Sequence, residues 1–347
     1  MKRTRGTRSR AGTRRSRKDG ILERLEDGVV LGDGGYLIEL EKRGYVQAGP
    51  FTPEVVLEHP QAVRELHREF LDAGAEVLQS LTFYASKEKL GTTGYADRVR
   101  ELNRQAVRLA REVAGDKALV AGNISLTWLY DPKDLKSKNR VRREFDEQLE
   151  VQVGEGIDFV IGETFSYLGE AIVAAEAAKA TGLPTMITMC FEQNPMTPEG
   201  KSPADCARAL VAAGADIVGV NCLRDPRHML PIAADMRKAV DAYVACQPTA
   251  IRTPDNKPDF TSLPQFPFEL ETLTLSRREM AQYAREAAAM GINFIGSCCG
   301  SIPIHVREMA RALGKRPSED RRWRVDYGKP MSAYEYYDHH EKPPGAA

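Results

Sequence analysis

Two cysteines stand side by side where an apolar run ends, in Phe294-Ile295-Gly296-Ser297-Cys298-Cys299-Gly300. A disulfide between chain neighbours strains the backbone away from its preferred geometry, so the pair reads as two thiols offered to a metal. A third thiol closes a second apolar run, Val218-Gly219-Val220-Asn221-Cys222. Three thiols at two predicted strand ends specify a zinc site with Cys222, Cys298 and Cys299 as ligands and a fourth position open to substrate. Zinc bound by three thiolates is a poor Lewis acid for hydrolysis. It would, however, hold a substrate thiol deprotonated near neutral pH, where a free thiol of pKa about 8.5 is mostly protonated. The chemistry that follows is attack by that sulfur on an activated alkyl group.

A second set of residues fits an amino-acid head group. Asp33 stands before Gly34 and Gly35, so a carboxylate that accepts from an ammonium adjoins backbone amides free to meet a carboxylate. Glu163 follows an apolar run, where an unpaired carboxylate is costly to bury, and a cationic partner is expected for it. The thiol substrate is therefore expected to be an amino acid, homocysteine or cysteine. Thr82 and Tyr84 follow a third run, and Tyr84 reads either as a core aromatic with a satisfied hydroxyl or as a residue facing the metal. Cys190, Cys206 and Cys246 read as buried small hydrophobes, and the histidines, His67 and His305 among them, receive no role.

These residues need elements to carry them. From Val29 onward short apolar runs alternate with longer amphipathic patterns. Strands are expected near 29–32, 76–81, 118–123, 158–161, 184–189, 217–220, 248–251 and 294–296, with a helix after each. The helix before the seventh strand is expected over about 229–244. Eight such units predict a single (β/α)8 TIM barrel over residues 21–318; a doubly wound open sheet is the alternative with fewer strands. The candidate residues Asp33, Thr82, Tyr84, Glu163, Cys222, Cys298 and Cys299 all fall at carboxyl ends of predicted strands, the face on which barrels build active sites.

Composition narrows the class. The chain is 42% hydrophobic and 28% charged, and it has no apolar run near the roughly 20 residues that span a bilayer, so no membrane partner is expected. Six cysteines are too few for a disulfide scaffold at this length, and a cytoplasmic setting is expected. Nine of the 49 basic residues lie between Lys2 and Lys18 with no acidic residue among them, which leaves 40 basic against 49 acidic residues elsewhere. Residues 1–20 are accordingly expected to form a disordered, solvated tail, with nucleic-acid contact or organelle targeting as the alternatives, and residues 319–347 a C-terminal extension. Assembly into a homo-oligomer is left open.

The blocks Gly32-Asp33-Gly34-Gly35, Leu40 to Glu54, Leu66 to Leu71, Thr82 to Ser86, Gly219 to Cys222 and Gly296 to Gly300 resemble the zinc-dependent homocysteine methyltransferase family. The Leu40 to Glu54 block resembles its betaine-homocysteine S-methyltransferase branch. The resemblance runs from about residue 21 to about 315. It implies zinc on Cys222, Cys298 and Cys299, with Tyr84 holding the fourth position until homocysteine displaces it. It also implies that Asp33 and Glu163 grip the homocysteine ammonium and that Gly34 and Gly35 lie by its carboxylate. Phe51 and Thr164 stand where that branch has tryptophan and tyrosine against the methyl donor, and aromatic faces are what hold a quaternary ammonium. Phe83, Phe165 and Tyr167 are candidate replacements for the missing walls. The implied reaction is methyl transfer to homocysteine from betaine or another small onium donor such as S-methylmethionine or dimethylsulfoniopropionate, with a corrinoid or folate donor as the alternative. A thiol- or zinc-binding regulator is the reading outside enzymes.

Overall fold

The computed structural model of the protein describes residues 19–315 and 317. The expected basic tail, apart from Asp19 and Gly20, and the C-terminal extension lie outside the described residues. Eight strands are present: β1 (Val30–Leu31), β2 (Val77–Gln79), β3 (Leu119–Ser125), β4 (Phe159–Phe165), β5 (Thr185–Met189), β6 (Ile217–Asn221), β7 (Tyr243–Gln247) and β8 (Phe294–Ile295). They run parallel in the order β1-β8-β7-β6-β5-β4-β3-β2. The two end strands meet where the Glu76 amide donates to Leu31 O at 2.9 Å and the Leu31 amide donates to the Glu76 carboxylate at 3.0 Å. The sheet thus closes on itself, and the chain is a (β/α)8 barrel.

Why the strands read as uniform apolar runs is now plain. A parallel strand inside a barrel is covered on both faces, so alternation disappears. Phe159, Ile161, Ile217 and Phe294 fill the interior. Ile21 and Leu25 of the N-terminal helix Ile21–Asp27 pack into that same cluster and plug one end. Outside the sheet, helices begin where their sequences offer caps. The Ser202 and Ser276 hydroxyls accept the amides of Asp205 and Glu279, whose carboxylates reach back to the serine amides, satisfying donors that an open helix end would leave unpaired. Among the described residues no helix is long and apolar enough to cross a membrane.

The seventh unit departs from expectation. The helix before it, Pro226–Ala239, ends five residues early because Val240 turns extended and the Arg237 guanidinium binds the carbonyls of Val240 and Ala242. The strand is then Tyr243–Gln247, and residues 248–251 form the segment beyond it.

That segment holds the double cysteine. Cys298 N donates to Pro248 O at 2.8 Å, while Cys299 O accepts from Ala250 N at 2.9 Å and from Thr249 Oγ1 at 2.6 Å. Among the described residues six non-glycines, Phe51, Tyr84, Trp128, Thr164, Cys222 and Leu223, have φ between 49° and 67°. All belong to the carboxyl-end stretches of the strands. Left-handed backbone at such residues persists only where the surroundings impose it.

Candidate metal and substrate site

The three expected thiols come together. Cys222 Sγ lies 3.5 Å from Cys299 Sγ, Cys298 Sγ lies 4.0 Å from Cys299 Sγ, and all three ligand atoms fall within 4.8 Å of one another. Tetrahedral ligands at about 2.3 Å from a metal stand about 3.8 Å apart, so the triangle is already of the right size. It is the one group of described side chains arranged to hold a metal ion.

Local chain geometry produces the triangle. β6 is followed at once by two left-handed residues, Cys222 and Leu223. The buried Arg224 guanidinium then binds the carbonyls of Phe191, Glu192 and Gln193, and Asp225 caps the next helix. The thiol is thereby fixed between two anchors. On the opposite side a Cβ on Gly35 would lie 2.6 Å from Cys298 O, so only glycine lets the chain after β1 run this close to the double cysteine. Hydrogen bonds from Cys298 and Cys299 hold Cys222 well below the usual thiol range, and the proximity of that thiolate pushes the other two well above it. Three thiols this close cannot all ionise unless a cation shares their charge.

The thiols open onto a cavity whose wall also contains Asp33, Gly34, Gly35 and Glu163. Burial is the main reason that the Asp33 carboxyl is pushed up to about 7 and the Glu163 carboxyl to about 8. The cation expected beside Glu163 is absent from its described partners. Gln79 Nε2 and Asn123 Nδ2 (2.6 Å) donate to one oxygen and Asn221 Nδ2 (2.9 Å) donates to the other. Side-chain amides satisfy the lone pairs without supplying a positive charge, so an incoming cation is what would favour the ionised carboxylate. A register shift in the β4–β5 ladder between Gly162 and Phe165 sets the direction of this stretch, as bulges beside functional sites do.

The remaining candidates divide. Phe51 packs on the apolar cluster that includes Cys222 and the double cysteine, and its ring lies 6.0 Å from that of Phe266. Thr164 accepts from Asn221 Nδ2 at 2.8 Å and gives its amide to Asn221 Oδ1. The Thr82 hydroxyl is turned to Asn123 O at 2.8 Å and away from the cavity wall. Tyr84 lies close enough to Cys222, Cys190 and Cys299 to feel their charge, though burial is the larger reason that its hydroxyl is pushed up to about 12. Of the suggested replacement walls, Phe165 is fully buried against Phe145 and Tyr167 packs on Tyr130, while the Phe83 ring lies tilted against that of Tyr84 with centroids 4.3 Å apart.

Two features had no sequence signal. Trp128 is 68% exposed, and the Lys89 ammonium sits 4.1 Å from the Tyr84 ring centroid and 4.9 Å from that of Trp128, between the two rings. Asp33 is joined to Tyr36 and through it to His67, residues 31 positions apart. Cys206 and Cys246 are buried, with thiols pushed up to about 12 by that burial, as inert core cysteines are.

Comparison with known proteins agrees with this geometry. A family profile described as homocysteine S-methyltransferase matches residues 30–313. Betaine–homocysteine S-methyltransferase 1 of Danio rerio is 48% identical over 306 residues, covering 85% of this chain and 76% of that protein. S-methylmethionine–homocysteine S-methyltransferase BHMT2 of Pongo abelii is 45% identical over 308 residues, covering 85% and 82%. The metallated homocysteine methyltransferase MmuM from Escherichia coli superposes with a TM-score of 0.67 at 18% identity, over 82% of this chain and 96% of that one, a likeness of fold. The chain belongs to the homocysteine S-methyltransferase family.

Proposed function

We propose that the protein transfers a methyl group from a small onium donor to homocysteine, forming methionine, with zinc held by Cys222, Cys298 and Cys299. The observation that carries this reading is the pairing, on one cavity wall, of a three-thiol triangle with two buried carboxylates that lack a described cationic partner. Zinc at the triangle would supply a substrate thiol kept deprotonated near neutral pH. Asp33 and Glu163 receive the homocysteine ammonium, and the amides about Gly34 and Gly35 meet its carboxylate. Thr82 serves by holding Asn123, whose amide supports Glu163. In the transfer the sulfur–carbon bond forms as the donor's carbon–nitrogen or carbon–sulfur bond breaks, and the thiolate and onium charges cancel. Relatives named for betaine and for S-methylmethionine both match this chain. The place taken by the Lys89 ammonium suits an onium head, because aromatic faces attract a cation. Tyr84, Trp128 and Phe51 are the walls we assign to the donor, with Thr164 beside them through Asn221.

The test is a donor panel. Purified protein with zinc and homocysteine is offered betaine, S-methylmethionine, dimethylsulfoniopropionate and a methylated corrinoid, and methionine is measured by mass spectrometry. Turnover with an onium donor, its persistence after deletion of residues 1–20 and its loss in Cys298→Ala are expected. Protein that retains no zinc and forms no methionine from any onium donor would overturn the reading.

A further inference from the structure

Asp33 is held unevenly. The Tyr36 hydroxyl donates to its Oδ2 at 2.7 Å, and the Gln79 backbone amide donates to that same oxygen at 2.7 Å. Tyr36 Oη also lies 2.8 Å from His67 Nδ1. A hydroxyl has one proton, and here it goes to the carboxylate, so the bond to the imidazole requires His67 to donate from Nδ1. Nε2 is then a bare acceptor, and Nε2 is indeed buried without a hydrogen-bond partner. Burial pushes the imidazole down to about 3, which keeps it neutral, and the hydrogen-bond geometry places its one ring proton on the nitrogen that faces Tyr36. The three side chains are buried, and the Tyr36 ring is wedged edge-on between His67 at 5.0 Å and Phe70 at 5.2 Å. His67 and Phe70 both belong to the helix Pro60–Ala73, so the loop after β1 is fastened to the outer layer of the barrel through one phenol.

We infer that Tyr36 and His67 are positioning residues for homocysteine, forming a donor relay that saturates Asp33 Oδ2 and turns the other carboxylate oxygen to the substrate ammonium. The inference rests on the reading of Asp33 as the ammonium's partner. A relay that merely satisfied two buried polar groups would affect stability alone. A relay that aims Asp33 affects the affinity for one substrate and leaves the other as it was.

The test uses full-length, zinc-loaded protein and reads KM for homocysteine, KM for the donor, kcat, zinc content and thermal melting. Tyr36→Phe is expected to raise KM for homocysteine by about tenfold, as loss of a hydrogen bond to a charged group does, with donor KM and zinc content within twofold. His67→Leu should reproduce that effect. His67→Asn, whose amide can donate from the place of Nδ1, should restore most of the affinity. Asp33→Asn separates this inference from the reading beneath it. If Asp33→Asn weakens homocysteine binding while Tyr36→Phe and His67→Leu leave it within twofold of the parent, the relay is overturned and the assignment of Asp33 stands. If His67→Asn is as impaired as His67→Leu, ring shape and not the donated proton matters, and the relay is again overturned. If Asp33→Asn is itself without effect, both fall.

Discussion

Asn221 and Glu163 are joined by a 2.9 Å hydrogen bond from side-chain amide to carboxylate oxygen, and Asn221 immediately precedes the thiol of Cys222 in the chain. The carbonyl oxygen of the same side chain accepts from Thr164 N and Thr188 Oγ1. One residue therefore links the thiol end of β6 to the carboxylate that we assign to the homocysteine ammonium. Asn221→Ala strands several buried polar groups and is expected to destabilise the protein by about 1–3 kcal/mol. It should also raise KM for homocysteine more than KM for the donor. Equal changes in the two constants would show that Asn221 is no link between the subsites.

Asp33 should make stability depend on pH in a recognisable direction. Its carboxyl is pushed from the ordinary 3.8 up to about 7 by burial, so between those values the folded state binds more protons than the unfolded one. Stability from this group is full below about pH 4 and is lost as pH rises towards 7. Asp33→Asn keeps an oxygen for Tyr36 and Gln79 but cannot ionise. In homocysteine-free protein at constant zinc it should melt on the order of 5 °C above the parent at pH 8, with the gap closing by pH 4. A gap that stays constant across that range would refute the assignment.

The Gly35 contact can be tested through the metal. A Cβ placed 2.6 Å from Cys298 O must push the double cysteine away from Cys222. Gly35→Ala is expected to weaken zinc retention at least about tenfold in competition with a chelator, while far-ultraviolet circular dichroism stays that of the parent. Unchanged retention would show that the loop after β1 yields instead of the cysteine turn.

Trp128 and Lys89 should act on the donor in opposite senses. Trp128→Ala removes an aromatic wall and is expected to raise KM for the onium donor by about 3–10-fold, in line with one cation–π contact. Lys89→Met removes an ammonium that occupies the same aromatic faces and should lower that constant. Both variants should leave KM for homocysteine near that of the parent. A rise in donor KM for Lys89→Met would mean that the lysine supports the wall rather than competes for it.

What could be read from residue order follows from locality. The barrel was legible because strands buried on both faces and amphipathic helices alternate over contiguous residues, and the thiols because their residue type and strand-end position are local facts. The seventh strand, Tyr243–Gln247, lies ahead of its expected place for an equally local reason. Val240 and Tyr243-Val244 continue an apolar spacing that suits a helix, and the break comes from the Arg237 guanidinium binding carbonyls beyond it. Glu163 follows an apolar run and so calls for a cation by its sequence context, whereas the three amides that serve it come from three other strands. Tyr36 meets His67 only when the loop after β1 packs on the helix Pro60–Ala73, and Trp128 meets Lys89 only when the segments after β3 and β2 come side by side. No periodicity announces such meetings.

The six left-handed residues around the mouth carry a consequence for how this protein can change. Each holds a backbone conformation that costs of order 1–3 kcal/mol at a non-glycine, and glycine would adopt it freely. Selection for heat resistance alone would therefore favour glycine at Thr164, Leu223 or Trp128, and each such change would erase a side chain or a fixed direction at the thiol end of the barrel. The plugged end, closed by Ile21 and Leu25, shows no such residue among those described. Relief of backbone strain and integrity of the site thus compete at one and the same end of the barrel, and heat resistance gained at the plugged end must come from substitutions of another kind.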